Sequence, residues 1–224
     1  LAAALGSLSK DDQDLGVMFI DVGADKTNML LYKDNYLIHS KVIPIGSKSV
    51  TKDIAAYLQT SIKRAESIKH EHVSALSDFA DPESNFELPI ENDDLTKSIN
   101  QKEISEIAEL RYEDIIDQIK SEMKLLRMNI SDIRSGIKIT GGGSNVRNLD
   151  LLFKKHFEDT KCEYLSINNT VFKENLEDRR ELSTLIGLLS WPIFNTEDSS
   201  PTVGVKNFKS ITKNISSIWK GFFE

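Results

Sequence analysis

The sequence predicts an α/β lobe interrupted by a small inserted α+β subdomain and followed by a C-terminal amphipathic helix. Short, β-prone apolar runs cluster before residue 45 and return at residues 137–140, as expected of one sheet assembled from distant segments. Other stretches carry apolar residues every three or four positions, the period of helices that bury one face. An acidic stretch at residues 77–102, broken by Pro82 and Pro89, has the composition of an irregular insertion.

Residues 1–15 open with Leu1 rather than Met in an alanine-rich run, as expected of a segment joining a preceding half of a longer protein. Residues 17–20 form an apolar run ending at Asp21-Val22-Gly23, and residues 28–32 and 36–43 follow, with Lys33-Asp34-Asn35 between them. These read as three sequential antiparallel strands. From residue 50 to 69, Val50, Ile54, Leu58, Ile62, Ala65 and Ile68 keep helical spacing, so one amphipathic helix is expected there.

A short strand is expected at residues 86–90. A second long helix is expected over 104–128, with Ile107, Leu110, Ile115, Ile119, Met123 and Leu126 among its buried positions. Residues 136–140 read as a strand running into Gly141, Gly142 and Gly143, with a helix over 146–157 after them. A last apolar helix covers 182–191 and is expected to stop at Pro192. Residues 16–75 and 132–191 therefore form one expected unit, 76–131 the inserted subdomain, 192–205 a linker and 206–224 a separate helix.

That last segment, KNFKSITKNISSIWKGFFE, places Phe208, Ile211, Ile215, Ile218, Trp219, Phe222 and Phe223 on one helical face. Lys206, Lys209, Lys213 and Lys220 stand against one acid, Glu224, on a chain whose total charge is −7. A helix lying in an anionic lipid headgroup layer has this pattern. Docking on the protein's own core or in a partner groove would give the same period. With 39% hydrophobic residues and a single Cys162, the composition is that of a globular protein without an intrachain disulfide, for which a cytoplasmic setting is the expectation. No run approaches the roughly 20 apolar residues of a spanning helix. The acidic total argues against nucleic-acid binding, which needs a clustered basic face. His39, His70, His72 and His156 show no metal-ligand spacing with Cys162.

Strand, glycine turn and helix at 136–157 is the geometry that lets a backbone approach a phosphate or nucleoside. Three segments go together: IDVGADKTN at 20–28, IPIGSKSVTKDIAAYLQTSIKRAESIK at 43–69 and IKITGGGSN at 137–145. Their order resembles the second half of the actin-like ATPase superfamily, and within it the bacterial cell-division FtsA family. The resemblance implies ATP and Mg as cofactors. It places Asp21, Gly23 and Thr27 at the phosphates, with Asp21 reaching Mg indirectly, through water. Glu66 and Lys69 fall at the ribose and base, and Gly141, Gly142 and Gly143 against the adenosine. Leu110-Arg111-Tyr112-Glu113-Asp114-Ile115 is similar to the family's P-R-Y-x-E-I segment.

The chain departs from the family pattern at Ala24-Asp25-Lys26, where glycine-glycine-threonine is usual, and at Asn28, Val73 and Leu110. A Cβ at Ala24 limits backbone approach, and Asp25 repels a phosphate unless Lys26 or a metal compensates. The resemblance covers essentially the whole chain but only the carboxy-terminal half of a member. It implies a membrane tether at the cytoplasmic face of the division site, with self-association into filaments. Its implied partner is the FtsZ C-terminal tail, met at Arg111 and Asp114, and the 206–224 helix becomes the membrane-targeting sequence. At most weak ATPase activity is implied. The alternatives are a pilus-assembly relative, against which the amphipathic tail argues, and a sugar or acetate kinase lobe, which would require a substrate pocket with a positioned base and would not require the tail.

Overall fold

In a computed structural model of the chain the described residues are 1–5, 7–89, 96–158, 160–165 and 179–194, with side chains described as far as residue 189. The helix expected over 206–224, and the expected linker beyond residue 194, lie outside them. The chain divides into two compact units, residues 1–190 and 191–224, and the first holds both sheets. Its elements in order are α1 (Ala2–Leu5), α2 (Lys10–Leu15), β1 (Val17–Val22), β2 (Thr27–Lys33), β3 (Tyr36–Ile43), α3 (Ser47–Leu58), α4 (Ile62–His72), β4 (Asn85–Pro89), β5 (Thr96–Asn100), α5 (Gln101–Leu125), β6 (Ile137–Thr140), α6 (Leu149–His156) and β7 (Cys162–Tyr164). The last helix, α7 (Ser183–Phe194), begins in this unit.

Five strands form one mixed sheet in the order β3-β2-β1-β6-β7, antiparallel from β1 to β3 and parallel across β1, β6 and β7. β1 is central, and Val17, Met18, Phe19, Ile20 and Val22 are all buried because both faces of the sheet are covered. Met18, Ile20 and Val22 join the apolar cluster that includes residues of α3, α4 and α5. Val17 and Phe19 join the other cluster, with Leu30, Tyr32, Ala3, Ala4 and Leu8. The β2–β3 turn places Asp34 and Asn35 at φ 52° and 64°, the paired left-handed conformation that suits a tight hairpin. The inserted stretch contributes a second sheet, the β4–β5 hairpin.

The single helix expected over 50–69 is two helices. Gln59 adopts a left-handed conformation and closes α3, its N–H reaching the Ala55 and Ala56 carbonyls, and the Ser61 hydroxyl caps the start of α4. The apolar period survives the break because both helices pack on the same core, so spacing alone did not reveal it.

The helix expected over 104–128 is α5, which begins earlier because the Asn100 side chain caps the amides of Lys102 and Glu103. Its buried stripe runs through Ile104, Ala108, Tyr112, Ile115, Ile116, Ile119 and Met123, whereas Leu110 is 65% exposed. A small Ala108 and a polar-tipped Tyr112 lie on the core line, and these were the residues that an apolar count undervalued. The apolar stripe of α5 joins the same cluster as the sheet, so the inserted stretch shares its core with the strands on either side of it in sequence.

α7 runs past Pro192 to Phe194. Proline removes one N–H and one bond without preventing later residues from donating theirs. Near its start, Gly187 packs on α1: a Cβ there would sit 1.9 Å from the Ala2 carbonyl oxygen. The turn at Gln59 is the most testable of these features, since a non-glycine residue at positive φ is strained by about 1 kcal/mol. Gln59→Gly is expected to raise stability by up to about 1 kcal/mol in urea unfolding, and Gln59→Val to lower it by at least as much.

Candidate functional site

At the carboxy end of β1 the chain turns tightly, the Gly23 N–H donating to the Lys26 carbonyl at 2.9 Å. The backbone carbonyls of Gly23 and Ala24 accept from Ser47 and Lys48 N–H at 3.0 and 2.8 Å. The first amides of α3 are therefore spent on this turn. Gly46 permits the contact, since a Cβ on it would lie 2.5 Å from the Ala24 oxygen. Asp21 is half-buried beside the turn and accepts from the Asn28 side-chain amide at 3.3 Å. Burial pushes its carboxyl above the ordinary aspartate value, against the opposing pull of Asn28 and Lys26. Asp25 is exposed, and its compensating charge is Lys48, 3.4 Å away, a residue that sequence reasoning did not name.

The three glycines after β6 have different tasks. Gly141 has φ +89°, and a Cβ on it would lie 2.4 Å from both the Asp21 Oδ1 and the Val22 carbonyl oxygen. Gly143 is pressed on the same strand end, where a Cβ would meet Val22 and Gly23 at 2.8–2.9 Å. Both are buried, while Gly142 is exposed and its Cβ would approach only the Glu181 Cβ, at 3.4 Å. Close packing thus demands the outer two glycines, and the middle one presents open backbone. Ser144 closes the turn, its N–H and hydroxyl both donating to the Gly141 carbonyl.

Two cavities meet at this turn. The larger, about 710 Å³, is lined by Asp21, Gly23, Ala24, Lys26, Gly142 and Glu181 among others. The smaller, about 180 Å³, is lined by Ala24, Ser47, Glu66, Lys69, Gly142 and Gly143 among others. Ala24 and Gly142 belong to both. Thr27 lines neither: it is fully buried and its hydroxyl donates to the Ile45 carbonyl at 2.8 Å.

Lys69 is 4% exposed, and its Nζ donates to both Glu66 oxygens at 2.8 and 2.9 Å and to the Thr51 hydroxyl at 2.9 Å. Thr51 in turn donates to Glu66. Burial opposes the charge on Glu66, but hydrogen bonds from Lys69 and Thr51 outweigh it and hold the carboxyl below the usual glutamate value. Sequence reasoning missed Thr51, Ser47 and Glu181, whose positions become meaningful only once α3 and the approach to α7 fold over the glycine turn.

Arg111 and Asp114 lie away from both cavities. Arg111 donates through Nε and Nη2 to Asp53 on α3 at 2.7 and 3.2 Å and through Nη1 to Asp114 at 2.8 Å. Its guanidinium joins α5 to α3, with 33% of the side chain exposed. The seven apolar positions of the tail, from Phe208 to Phe223, lie outside the described residues. Among the described residues no group of three His, Cys, Asp or Glu could hold a metal, and no helix is long and apolar enough to cross a membrane. Burial pushes the Cys162 thiol up to about 12, which leaves it protonated and unreactive.

The sequence profile of the family described as "Cell division protein FtsA" matches residues 18–187. The chain belongs to the FtsA family. Cell division protein FtsA of Bacillus subtilis (strain 168) is 34% identical over 142 residues, covering 63% of this chain and 32% of that protein. The FtsA of Escherichia coli (strain K12) is 26% identical over 197 residues, covering 85% and 47%. The chain thus spans a third to a half of the FtsA relatives it matches. A solved structure of MreB5 of Spiroplasma citri bound to AMPPNP superposes with a TM-score of 0.65 at 21% identity, covering 96% of this chain and 59% of that one. The fold is accordingly an actin-like α/β lobe, here in a chain of the FtsA family.

Asp21 supplies a pH test of this site. A carboxyl whose folded-state pKa is raised favours folding while protonated. That stabilisation is full below the ordinary value of 3.8 and is lost as pH rises through the higher folded-state value. Asp21→Asn removes the titration. In urea unfolding the variant is expected to match the parent near about pH 3 and to exceed it near about pH 7.

Proposed function

We propose that the chain is the ATP-binding lobe of a cell-division tether that links FtsZ filaments to the cytoplasmic face of the membrane at the septum. The observation that carries the nucleotide part is the meeting of two cavities at Ala24 and Gly142. A polyphosphate fits the larger cavity and a nucleoside the smaller, with the exposed Gly142 backbone between them. Glu66 is the ribose acceptor, since a carboxylate takes hydrogen bonds from hydroxyls. Lys69, buried behind it, holds that carboxylate ionised and in place.

The charge of the larger cavity bears on the metal. The side chains of Asp21, Asp25 and Glu181 line it with those of Lys26 and Lys41, so the lining side chains do not by themselves neutralise an anionic polyphosphate, which calls for a cation. Asp21 is the residue that would hold Mg, through water, and the ion would supply neutralisation of the phosphate charge. Lys48 offsets Asp25, but as an exposed pair it contributes little. Phosphate affinity is therefore weaker than a glycine-rich loop would give.

The domain assignment proposed with this function makes residues 16–75 and 132–191 subdomain 2A and residues 76–131 subdomain 2B. The FtsZ tail is assigned to the α5 surface at Arg111 and Asp114, where exposed Leu110 adds an apolar contact. Because Arg111 already pairs with Asp53 and Asp114, its contribution is a held guanidinium edge rather than a free cation. Self-association into filaments and membrane attachment through Phe208, Ile211, Ile215, Ile218, Trp219, Phe222 and Phe223 complete the proposal.

Two experiments test it. MgATP titrated into the intact protein is expected to bind, and Glu66→Ala with Gly142→Val to abolish detectable binding; unchanged affinity would show that the cavities are not the site. For the membrane arm, the intact protein should sediment with anionic vesicles. Trp219→Asp or Phe222→Asp should abolish this and Lys213→Ala only reduce it, with binding weakened by salt. Equal, salt-independent sedimentation of all three would mean that the apolar stripe packs against protein.

A further inference from the structure

The glycine turn between the two cavities is held from behind by a residue that lines neither of them. Tyr112 on α5 is 1% exposed, and its hydroxyl donates to the Gly143 carbonyl at 3.2 Å. Phenylalanine would fill the same space without the cost of burying a hydroxyl, so the phenol oxygen serves this one bond. The bond sets the peptide plane that follows Gly143, on the side of the turn next to the exposed Gly142. On the other side, Ser144 ties the turn to the Gly141 carbonyl through its N–H at 3.0 Å and its hydroxyl at 2.7 Å.

The preceding residue carries a second, separate attachment. Arg111 binds Asp53 on α3, two residues after Thr51, whose hydroxyl donates to Glu66. Adjacent residues on one helix thus reach both walls of the smaller cavity, the glycine turn through Tyr112 and the Thr51–Glu66–Lys69 network through α3. Arg111 also bonds Asp114, which is 54% exposed. The glycine turn is thus tied to α5 by one direct hydrogen bond, and Glu66 is tied to it through Thr51, the α3 backbone and Asp53.

We infer that Tyr112 is a positioning residue for the nucleotide, and that α5 is the element through which occupation of the cavities is felt at the Arg111–Asp114 surface. The inference rests on the nucleotide reading proposed above. It assigns the Tyr112 hydroxyl to the glycine turn that the ligand meets, and to α5 a change in exchange protection when MgATP binds.

The test uses Tyr112→Phe in the intact protein, with MgATP affinity, thermal unfolding without nucleotide and amide hydrogen exchange as readouts. The variant is expected to bind MgATP roughly fivefold more weakly, the equivalent of one net hydrogen bond. MgATP should slow exchange at residues 108–116 and 141–145 in the parent, and the effect at 108–116 should disappear in the variant. A purely structural tyrosine would lower the nucleotide-free unfolding midpoint and leave affinity and MgATP-induced protection unchanged, which would overturn the inference. Should the variant fail to fold, the parent alone decides: protection at 141–145 with none at 108–116 would equally overturn it. A parent that binds no MgATP would remove the nucleotide reading and this inference together, whereas a parent that binds, with an indifferent variant, removes the inference alone.

Discussion

The rest of the site depends on one steric constraint, the backbone-to-backbone approach of the end of β1 and the turn after β6. Asp21 and Val22 leave no room for a Cβ at Gly141, and Val22 and Gly23 leave none at Gly143. The parallel pairing of Asp21 with Thr140 brings the two chain ends to this distance. Because β1 is the central strand, with both faces buried, neither end can shift without disturbing the core. A close approach made by rigid elements leaves Gly142 exposed between two cavities and fixes Asp21 beside them.

Most charges around this turn are answered by a neighbour on the same helix or on another element. Lys69 and Thr51 answer Glu66, Lys48 answers Asp25, and Asp53 and Asp114 answer Arg111. Asp21 is different: its polar partner is the neutral Asn28 amide, and burial raises its pKa. A half-buried carboxyl without a strong cationic partner destabilises the charged protein. The helix that carries Arg111 and Tyr112 belongs to the inserted stretch, yet its apolar face is part of the sheet's core. Sharing one core makes the insertion and the sheet mechanically continuous.

Much of this was legible in the residues. The runs at 17–20, 28–32 and 36–43 became the first three strands, and the 137–140 run became the fourth strand of the same sheet. Less legible were helix boundaries set by single residues. Gln59 ends α3 by adopting a conformation that its side chain disfavours, which no periodicity encodes. Leu110 reads as core by hydrophobicity, but on α5 it lies off the stripe set by Ala108, Tyr112 and Ile115.

The sequence by itself determined four of the five sheet strands, though not β7, together with the glycine turn and the family membership, because these rest on local periodicity and on short segments whose residues are adjacent in the chain. Only the tertiary structure decided the separate tasks of the three glycines, the burial of Thr27 against Ile45, the pairing of Arg111 with Asp53 and the bond from Tyr112 to Gly143. Each of these joins residues 18 to 121 positions apart in the chain. Spacing along a chain carries information about neighbours on one helix or strand. Contacts across elements depend on register and crossing geometry, which are set by the packing of the whole core.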